Sequence, residues 1–166
     1  MNYEAPHEVR FIADAMLGRL ARWLRLLGYD TLYYPDLDDR EFLKIALREE
    51  RCLLTRDTHF LGMKNLSKLF FVHSDNPLEQ VREVINAFGA GGPRPGRCAR
   101  CNGILRTIDD KGSVRDAVPE YVFLHSSSFL RCEGCRSVYW EGTHLKRFRA
   151  MLKGILREGN EEVRIT

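Results

Sequence analysis

Four short apolar runs in the first half of the chain predict β-strands, at residues 9–13, 31–34, 52–55 and 69–73. Each run has four or five residues. Mostly apolar strands of this length are typical of a parallel sheet that is covered on both faces. The pattern therefore predicts a buried parallel sheet.

Helical patterns lie between and after these strands. Apolar side chains recur at helical spacing from Met16 to Leu27, and Gly28 is a suitable C-cap. A second helix is predicted after Asp36, Asp38 and Asp39, whose carboxylates can cap its amino end, and a third begins at Pro77. The order β-α-β-α-β-(α)-β-α predicts an α/β fold with helices on both faces of the sheet.

A glycine- and proline-rich stretch, residues 89–96, predicts a domain boundary. We expect an α/β domain over residues 1–90 and a small second module over residues 91–166. Residues 1–90 hold 12 Lys and Arg against 14 Asp and Glu, whereas residues 91–166 hold 14 against 9. This asymmetry favours, weakly, a polyanionic partner for the second module. With no signal peptide or membrane helix indicated, we expect a cytoplasmic protein without membrane association.

Aspartates follow the predicted strands, at the edge where parallel α/β sheets bind ligands. They are Asp14, Asp57 and Asp75 and, after the strand at 31–34, Asp36, Asp38 and Asp39. Any one of them can be explained as a helix N-cap. Several like charges at one edge, however, repel one another and favour a bound cation. Oxygen ligands without a nearby His or Cys suit Mg²⁺ or Mn²⁺, and such sites perform phosphoryl chemistry.

Asp14 and Asp57 are the strongest candidates, because each comes directly after a strand-forming stretch. Asp38 is our choice from its group, since it can lie at the amino end of the second helix, while Asp39 and Glu41 remain open. The chain has no G-x-x-x-x-G-K-[ST] or G-x-G-x-x-G motif. No nucleotide cofactor is therefore expected.

Arginines flank the aspartates. Arg19, Arg22 and Arg25 recur at a spacing of three on the polar side of the first helix. A solvated helix face is the favoured interpretation, and contact with phosphates is the alternative. Arg56, beside Asp57, is a closer candidate for phosphate contact.

Two cysteine pairs, Cys98-x-x-Cys101 and Cys132-x-x-Cys135, are separated by 30 residues. Four thiolates at this spacing predict a closed, structural zinc site, and a redox role is disfavoured. A hairpin or an extra strand is expected between the pairs. The remaining Cys52 lies in an apolar run and is interpreted as core.

A strand at residues 137–140 and a basic amphipathic helix at 144–156 are predicted after the second pair. Lys146 and Arg149 lie on this helix and are candidate RNA contacts. Tyr139 and Trp140 can stack on bases, or can equally pack the small core of the module.

Taken together, the sequence resembles the PIN-like ribonuclease domain with a fused zinc ribbon, named after the C-terminal domain of the Mut-seven exonuclease. The resemblance covers roughly residues 9–150 and is carried by residues 14–30, 35–39 and 53–57 and by both cysteine pairs with residues 138–140. It implies a PIN-like α/β fold and metal-dependent RNA cleavage. It also implies that the acids are Asp14, Asp57 and Asp75, with one more from residues 36–41.

The leading hypothesis is a metal-dependent ribonuclease with a structural zinc ribbon that aids RNA binding. Its predicted catalytic residues are Asp14, Asp38, Asp57 and Asp75, and its predicted RNA contacts are Arg19, Arg22, Arg56, Lys146 and Arg149. The alternative is a non-catalytic RNA- or ribosome-binding adaptor in which the acids are only caps. A receiver-like phosphoacceptor at Asp57 is disfavoured, because no Lys is placed at the end of a further strand.

Overall fold

The computed structural model of the chain describes residues 9–66, 68–89 and 96–142, together with five helical residues near the carboxyl terminus, Lys146, Ala150, Met151, Lys153 and Gly154. The chain divides into two compact units, Met1–Asn102 and Gly103–Thr166. Residues 90–95, in the stretch where the sequence predicts a domain boundary, lie outside the described residues.

The first unit follows the predicted alternation of strands and helices. Its elements are β1 (Phe11–Ala13), α1 (Gly18–Leu26), β2 (Thr31–Tyr33), α2 (Asp39–Arg48), β3 (Cys52–Thr55), β4 (Leu69–Phe71) and α3 (Pro77–Phe88). Short 3-10 turns at Ala15–Leu17 and Thr58–Gly62 follow β1 and β3. The second of these turns occupies the place of the bracketed helix in the predicted order.

All four strands form one parallel sheet in the order β2-β1-β3-β4. The central strands β1 and β3 pair in a register that sets Ile12 beside Leu53 and Ala13 beside Leu54. Every residue of these two strands is buried. The predicted α/β fold with a covered parallel sheet is therefore confirmed.

Helices cover both faces of this sheet. On one face Ile12 and Leu53 pack with Phe42 of α2 and with Phe60 in a shared apolar cluster. On the other face the Phe11 ring contacts the ring of Phe88 in α3, with the ring centroids 5.1 Å apart. Alternate residues of β1 thus face opposite layers, as the strand period requires, and each fully buried large side chain contributes about 1.5–3 kcal/mol.

The strand order places a topological switch point at the carboxyl ends of β1 and β3. These neighbouring strands connect in opposite directions, β1 through α1 to β2 and β3 to the far strand β4. Open parallel sheets bind their ligands at such a switch point. Asp14 and Asp57 follow these two strands and therefore lie at the switch point.

Over residues 103–142, the second unit is a small antiparallel sheet with one short helix. Its elements are β5 (Leu105–Thr107), α4 (Glu120–His125), β6 (Phe129–Cys132) and β7 (Val138–Trp140), with a 3-10 turn at Lys111–Val114. The strand order is β5-β6-β7. Phe129 is buried at the centre of a core against which Trp140 packs, which supports the packing interpretation of Trp140.

The stretch between the cysteine pairs contains the expected extra strand, β5, but also the 3-10 turn and α4, which the sequence did not predict. Most of the helix predicted at residues 144–156, including Arg149, lies outside the described residues. Lys146 is helical and exposed. Within the part of the chain that the structure describes, no helix has the length and apolar character needed to cross a bilayer.

Candidate active site

Asp14 is held at the carboxyl end of β1 by three hydrogen bonds. Its backbone amide donates to the carbonyl oxygen of Leu54 at 3.0 Å, which extends the pairing of β1 with β3. Its Oδ1 accepts from the amide of Ala15 at 2.6 Å and so caps the first 3-10 turn. Its Oδ2 accepts from the hydroxyl of Thr55 at 2.8 Å. The half-buried carboxylate is therefore fixed in one orientation.

Thr55 joins the two strongest aspartate candidates. This last residue of β3 is fully buried. Its hydroxyl donates to Asp14 and accepts from the backbone amide of Asp57 at 2.9 Å. Asp57 in turn caps the second 3-10 turn, with Oδ1 accepting from the amide of His59 at 2.8 Å, and its side chain is exposed. The structure thus brings Asp14 and Asp57 to opposite sides of one hydroxyl.

Tyr33, at the end of β2, supports the turn that carries Asp14. Its hydroxyl donates to the carbonyl oxygen of Ala15 at 2.9 Å. The ring lies over Gly18, where an added Cβ would come within 2.6 Å of the Tyr33 hydroxyl oxygen. Any larger residue at position 18 would therefore displace the Tyr33 ring, whereas the backbone angles of Gly18 do not call for glycine, since its φ is −59°.

Thr55 and Tyr33 are site residues that were not predicted from the sequence. For Thr55 a signal was present, because a hydroxyl at the end of a buried strand must find a hydrogen-bond partner. For Tyr33 the sequence gives no such signal, since aromatic residues are common in strands.

Asp38 and Asp75 lie in the segments that follow the other two strands, β2 and β4. Asp38 is exposed and caps α2, with Oδ1 accepting from the amide of Glu41 at 3.0 Å. Asp75 is exposed in the loop between β4 and α3. This loop is held by α3, because the carboxylate of Glu83 accepts from the amides of His73 and Ser74 at 2.8 and 2.7 Å.

The four predicted acids do not form one tight group of ligands. Among the described residues, the one set of three or more His, Cys, Asp or Glu side chains whose ligand atoms all lie within 4.8 Å of one another consists of cysteines. Of the four predicted acids, Asp14 and Asp57 are the two that share a hydrogen-bonding partner, the hydroxyl of Thr55.

The predicted arginine contacts have different surroundings. Arg19 and Arg22 are exposed on α1, and Arg56 is half-buried beside Asp57. Arg25 is buried, with 5% of its surface exposed, so its assignment to a solvated helix face was wrong. Its position three residues after Arg22 placed it on the polar side of α1, but a distant segment of the chain covers that side.

The cysteine set is the predicted one, Cys98, Cys101, Cys132 and Cys135. Cys98 and Cys132 are buried, Cys135 is half-buried and Cys101 is exposed. Four thiolates this close match a tetrahedral zinc centre, in which each sulfur lies about 2.3 Å from the metal. The donor set and its spacing therefore fit a structural zinc ion.

Residues 98–102 form a knuckle that Arg25 fastens to the sheet. The Arg25 guanidinium donates from Nη1 to the carbonyl oxygens of Ala99 and Arg100, at 2.9 and 3.3 Å, and from Nε to that of Thr31 at 2.8 Å. Burial lowers the pKa of Arg25, and the nearby Cys98 and Cys101 oppose this shift. Thr31 begins β2, so the knuckle lies at the edge of the sheet opposite Asp14 and Asp57.

Asn102 completes this attachment. Its backbone is left-handed, with a φ of 66°. Its side-chain oxygen accepts from the amide of Thr31 at 3.0 Å, and its nitrogen donates to Oδ1 of Asp30 at 2.7 Å. Asp30 also pairs with the buried Arg51 at 2.8 Å. Burial alone would raise the pKa of Asp30, but hydrogen bonds from Arg51 and Asn102 lower it.

Cys52 is separate from the zinc ligands. It is 6% exposed in β3, and burial raises the pKa of its thiol to about 11. A protonated, buried thiol is unreactive, which confirms the interpretation of Cys52 as core.

Comparison with known proteins places this geometry in a family. No curated protein and no solved structure matches the chain. Residues 9–152, however, match the Mut7-C RNAse domain family. Because this match spans most of the 166 residues, the chain belongs to the Mut7-C RNAse domain family.

Proposed function

We propose that the protein is a metal-dependent ribonuclease whose centre is the pair Asp14 and Asp57. The observation that carries this proposal is the Thr55 hydroxyl, which ties both residues together at the switch point of the sheet. Membership of a family described as an RNase domain supports RNA as the substrate.

The donor atoms at this edge suit Mg²⁺ or Mn²⁺. Catalytic Mg²⁺ sites use one or two carboxylates, with water and substrate phosphates as the remaining ligands, so two aspartates are sufficient. The capping bonds from Ala15 and His59 use Oδ1 of Asp14 and Oδ1 of Asp57, and Thr55 uses Oδ2 of Asp14. Because a carboxylate has about four lone-pair sites, each aspartate keeps acceptor capacity for the ion. When bound, the ion supplies charge neutralisation at a phosphate and makes water more acidic.

The protein's own residues then have distinct parts. Asp14 and Asp57 hold the ion, while Thr55 keeps its proton on Oγ1, directed at Oδ2 of Asp14, and so orients that carboxylate. Tyr33 holds the turn after Asp14 through the carbonyl of Ala15. Water is the proposed nucleophile, since no Ser-His-Asp or Cys-His arrangement is indicated by the sequence.

The remaining predicted residues surround this centre in the proposal. Asp75 adds negative charge from a loop that Glu83 holds in place. Asp38 has a structural explanation in capping α2, and its part in catalysis is a weaker component of the proposal. Arg19, Arg22 and Arg56 would contact phosphates of the RNA, as would Lys146 and Arg149.

Zinc has a structural part in this proposal. Its ligands Cys98 and Cys101 belong to a knuckle at the sheet edge opposite Asp14 and Asp57. Four cysteines leave no open coordination position, so this ion would not activate water.

The test is cleavage of a pool of single-stranded and structured RNAs with Mn²⁺, with Mg²⁺ and without added divalent cation. We expect cleavage in the presence of the metals and its loss in the Asp14→Asn/Asp57→Asn double variant. Glu120→Asp, an exposed conservative change in the second unit, is the control and should cleave normally. Binding of RNA without any cleavage would contradict the enzyme and support the adaptor.

A further inference from the structure

A basic pocket lies on the small sheet of the second unit. It has a volume of about 190 Å³ and lies beside β5, the end of β6 and the turn after it. Three arginines, Arg106, Arg131 and Arg136, line it, together with a single acid, Glu133. Among the Arg and Glu side chains of this lining, the positive charges exceed the negative ones by two. Cys132, a predicted zinc ligand, also lines the pocket.

Two of these arginines are direct cross-strand neighbours. Arg106 of β5 pairs with Arg131 of β6 in the antiparallel register, so both side chains leave the same face of the sheet. Like charges at such positions destabilise a sheet. An anion bound between the two guanidinium groups would therefore offset their repulsion.

Glu133, the acid in this lining, pairs with only one of the three arginines. Oε1 of Glu133 lies 2.7 Å from Nε of Arg106. Arg131 donates from Nη2 to the neutral carbonyl oxygen of Ser113 at 3.3 Å. Across the described ranges, neither Arg131 nor Arg136 forms an ion pair. The exposed Arg136 has a φ of 64° and is thus held in the left-handed region by the cysteine turn.

We propose that this pocket binds a backbone phosphate of the RNA. Guanidinium groups form paired, charge-assisted hydrogen bonds with phosphate oxygens, and several of them converge here on one cavity. The inference rests on the proposed function for the identity of the polyanion, but not on cleavage. It gives the zinc-binding part of the chain a phosphate contact apart from Lys146 and Arg149.

The experiment measures binding of a fluorescent single-stranded RNA to the zinc-loaded full chain over a series of salt concentrations, without added divalent cation. Removing one cationic contact to a phosphate reduces the magnitude of the slope of log binding constant against log salt concentration by about 0.7 for a single strand. We expect that decrease, with about fivefold to tenfold weaker binding at moderate salt, in Arg131→Gln and in Arg136→Asn. Asn tolerates the left-handed backbone at position 136. Arg115→Gln, an exposed change outside the pocket, is the control and should keep the wild-type slope.

A change of opposite sign is expected for Glu133→Gln. Removing this carboxylate frees Arg106 for the phosphate, so RNA should bind about threefold or more tightly, whereas Glu120→Gln should bind as wild type does. Wild-type salt slopes in both Arg131→Gln and Arg136→Asn, with one zinc per chain retained, would overturn the proposal that this pocket binds a phosphate.

These outcomes separate the pocket from the proposed enzyme. Pocket-dependent binding without cleavage supports the pocket and contradicts the ribonuclease. Cleavage by the wild type with unchanged binding in the pocket variants supports the ribonuclease and contradicts the pocket. A wild type that neither binds nor cleaves RNA overturns both.

Discussion

The hydroxyl of Thr55 lies 2.8 Å from Oδ2 of Asp14 and donates a hydrogen bond to it from within the buried edge of the sheet. The same oxygen accepts the amide proton of Asp57. One side chain thus orients the carboxylate of Asp14 and holds the backbone of Asp57, two residues that follow adjacent strands. In the proposed enzyme Thr55 is a positioning residue, because it acts through the aspartates and not on the substrate.

Replacing Thr55 tests this relationship. Thr55→Val keeps the shape of the side chain but leaves Oδ2 of Asp14 without its donor. We expect about 10- to 100-fold lower activity and a higher Mn²⁺ concentration for half-maximal cleavage, as for other residues that orient metal ligands. Stability should fall by about 1–3 kcal/mol. Thr55→Ser should retain most of both properties, and a Val variant with unchanged Mn²⁺ dependence would contradict the positioning role.

The cysteine cluster predicts one zinc ion per chain. Elemental analysis of protein purified without chelator should find this stoichiometry in the wild type and well under one zinc in Cys132→Ser. Because zinc binding contributes directly to folding, the variant should also melt at a lower temperature. Cys52→Ala is the matched control and should retain its zinc. Zinc well below one per chain in the wild type would refute the site.

Arg25 is expected to control how firmly the first cysteine knuckle is held. In Arg25→Gln the carbonyl oxygens of Ala99, Arg100 and Thr31 lose a charged donor. We expect zinc to transfer to a chromogenic chelator at least about tenfold faster, as for other residues that hold metal ligands in place without contacting the metal. Arg22→Gln, one turn earlier and exposed, should release zinc at the wild-type rate. Equal rates in both variants would show that Arg25 does not support the knuckle.

Asp30 makes stability depend on pH in a definite direction. Its folded-state pKa lies below the value of about 3.9 for an unfolded aspartate. Its contribution is therefore fully present above that value and is lost as the pH falls through the lower, folded pKa. Asp30→Asn should lower the free energy of unfolding by about 1–3 kcal/mol at pH 7, since Arg51 loses a buried partner.

Denaturant titrations of both proteins at several pH values check this prediction. The difference between wild type and Asp30→Asn should shrink once the pH falls below about 4. Loss of zinc at low pH affects both proteins, so the informative quantity is the difference between them. A difference that is the same at pH 7 and pH 3 would contradict the assigned direction of the pKa shift.

Much of the fold and the position of the candidate site could be predicted from the sequence. The apolar strands β1 and β3 are recognisable because both are covered on two faces. Asp14 comes directly after β1, and Asp57 is the second residue after β3. A parallel arrangement alone therefore places both at one edge. The spacing of the cysteine pairs similarly predicted that the four thiols lie together, because two Cys-x-x-Cys pairs are the usual ligand pattern of a structural zinc site.

Other features depend on contacts that are remote in sequence. The burial of Arg25 results from its bonds to Ala99 and Arg100, which lie 74 and 75 residues further along the chain. Helical periodicity could indicate only the polar side on which Arg25 lies. Asp38 illustrates a different limit, since an aspartate at that place can serve either as a helix cap or as a metal ligand.

The central claim is that Asp14 and Asp57 hold a divalent cation, and direct Mn²⁺ binding tests it without any need to know the RNA substrate. Zinc-loaded protein is titrated with Mn²⁺, and the free ion is followed by electron paramagnetic resonance. We predict binding at millimolar or lower Mn²⁺, weakened at least about tenfold in Asp14→Asn and Asp57→Asn and unchanged in the exposed control Asp116→Asn. An absence of binding at millimolar Mn²⁺, or identical curves for the wild type and Asp57→Asn, would contradict the account.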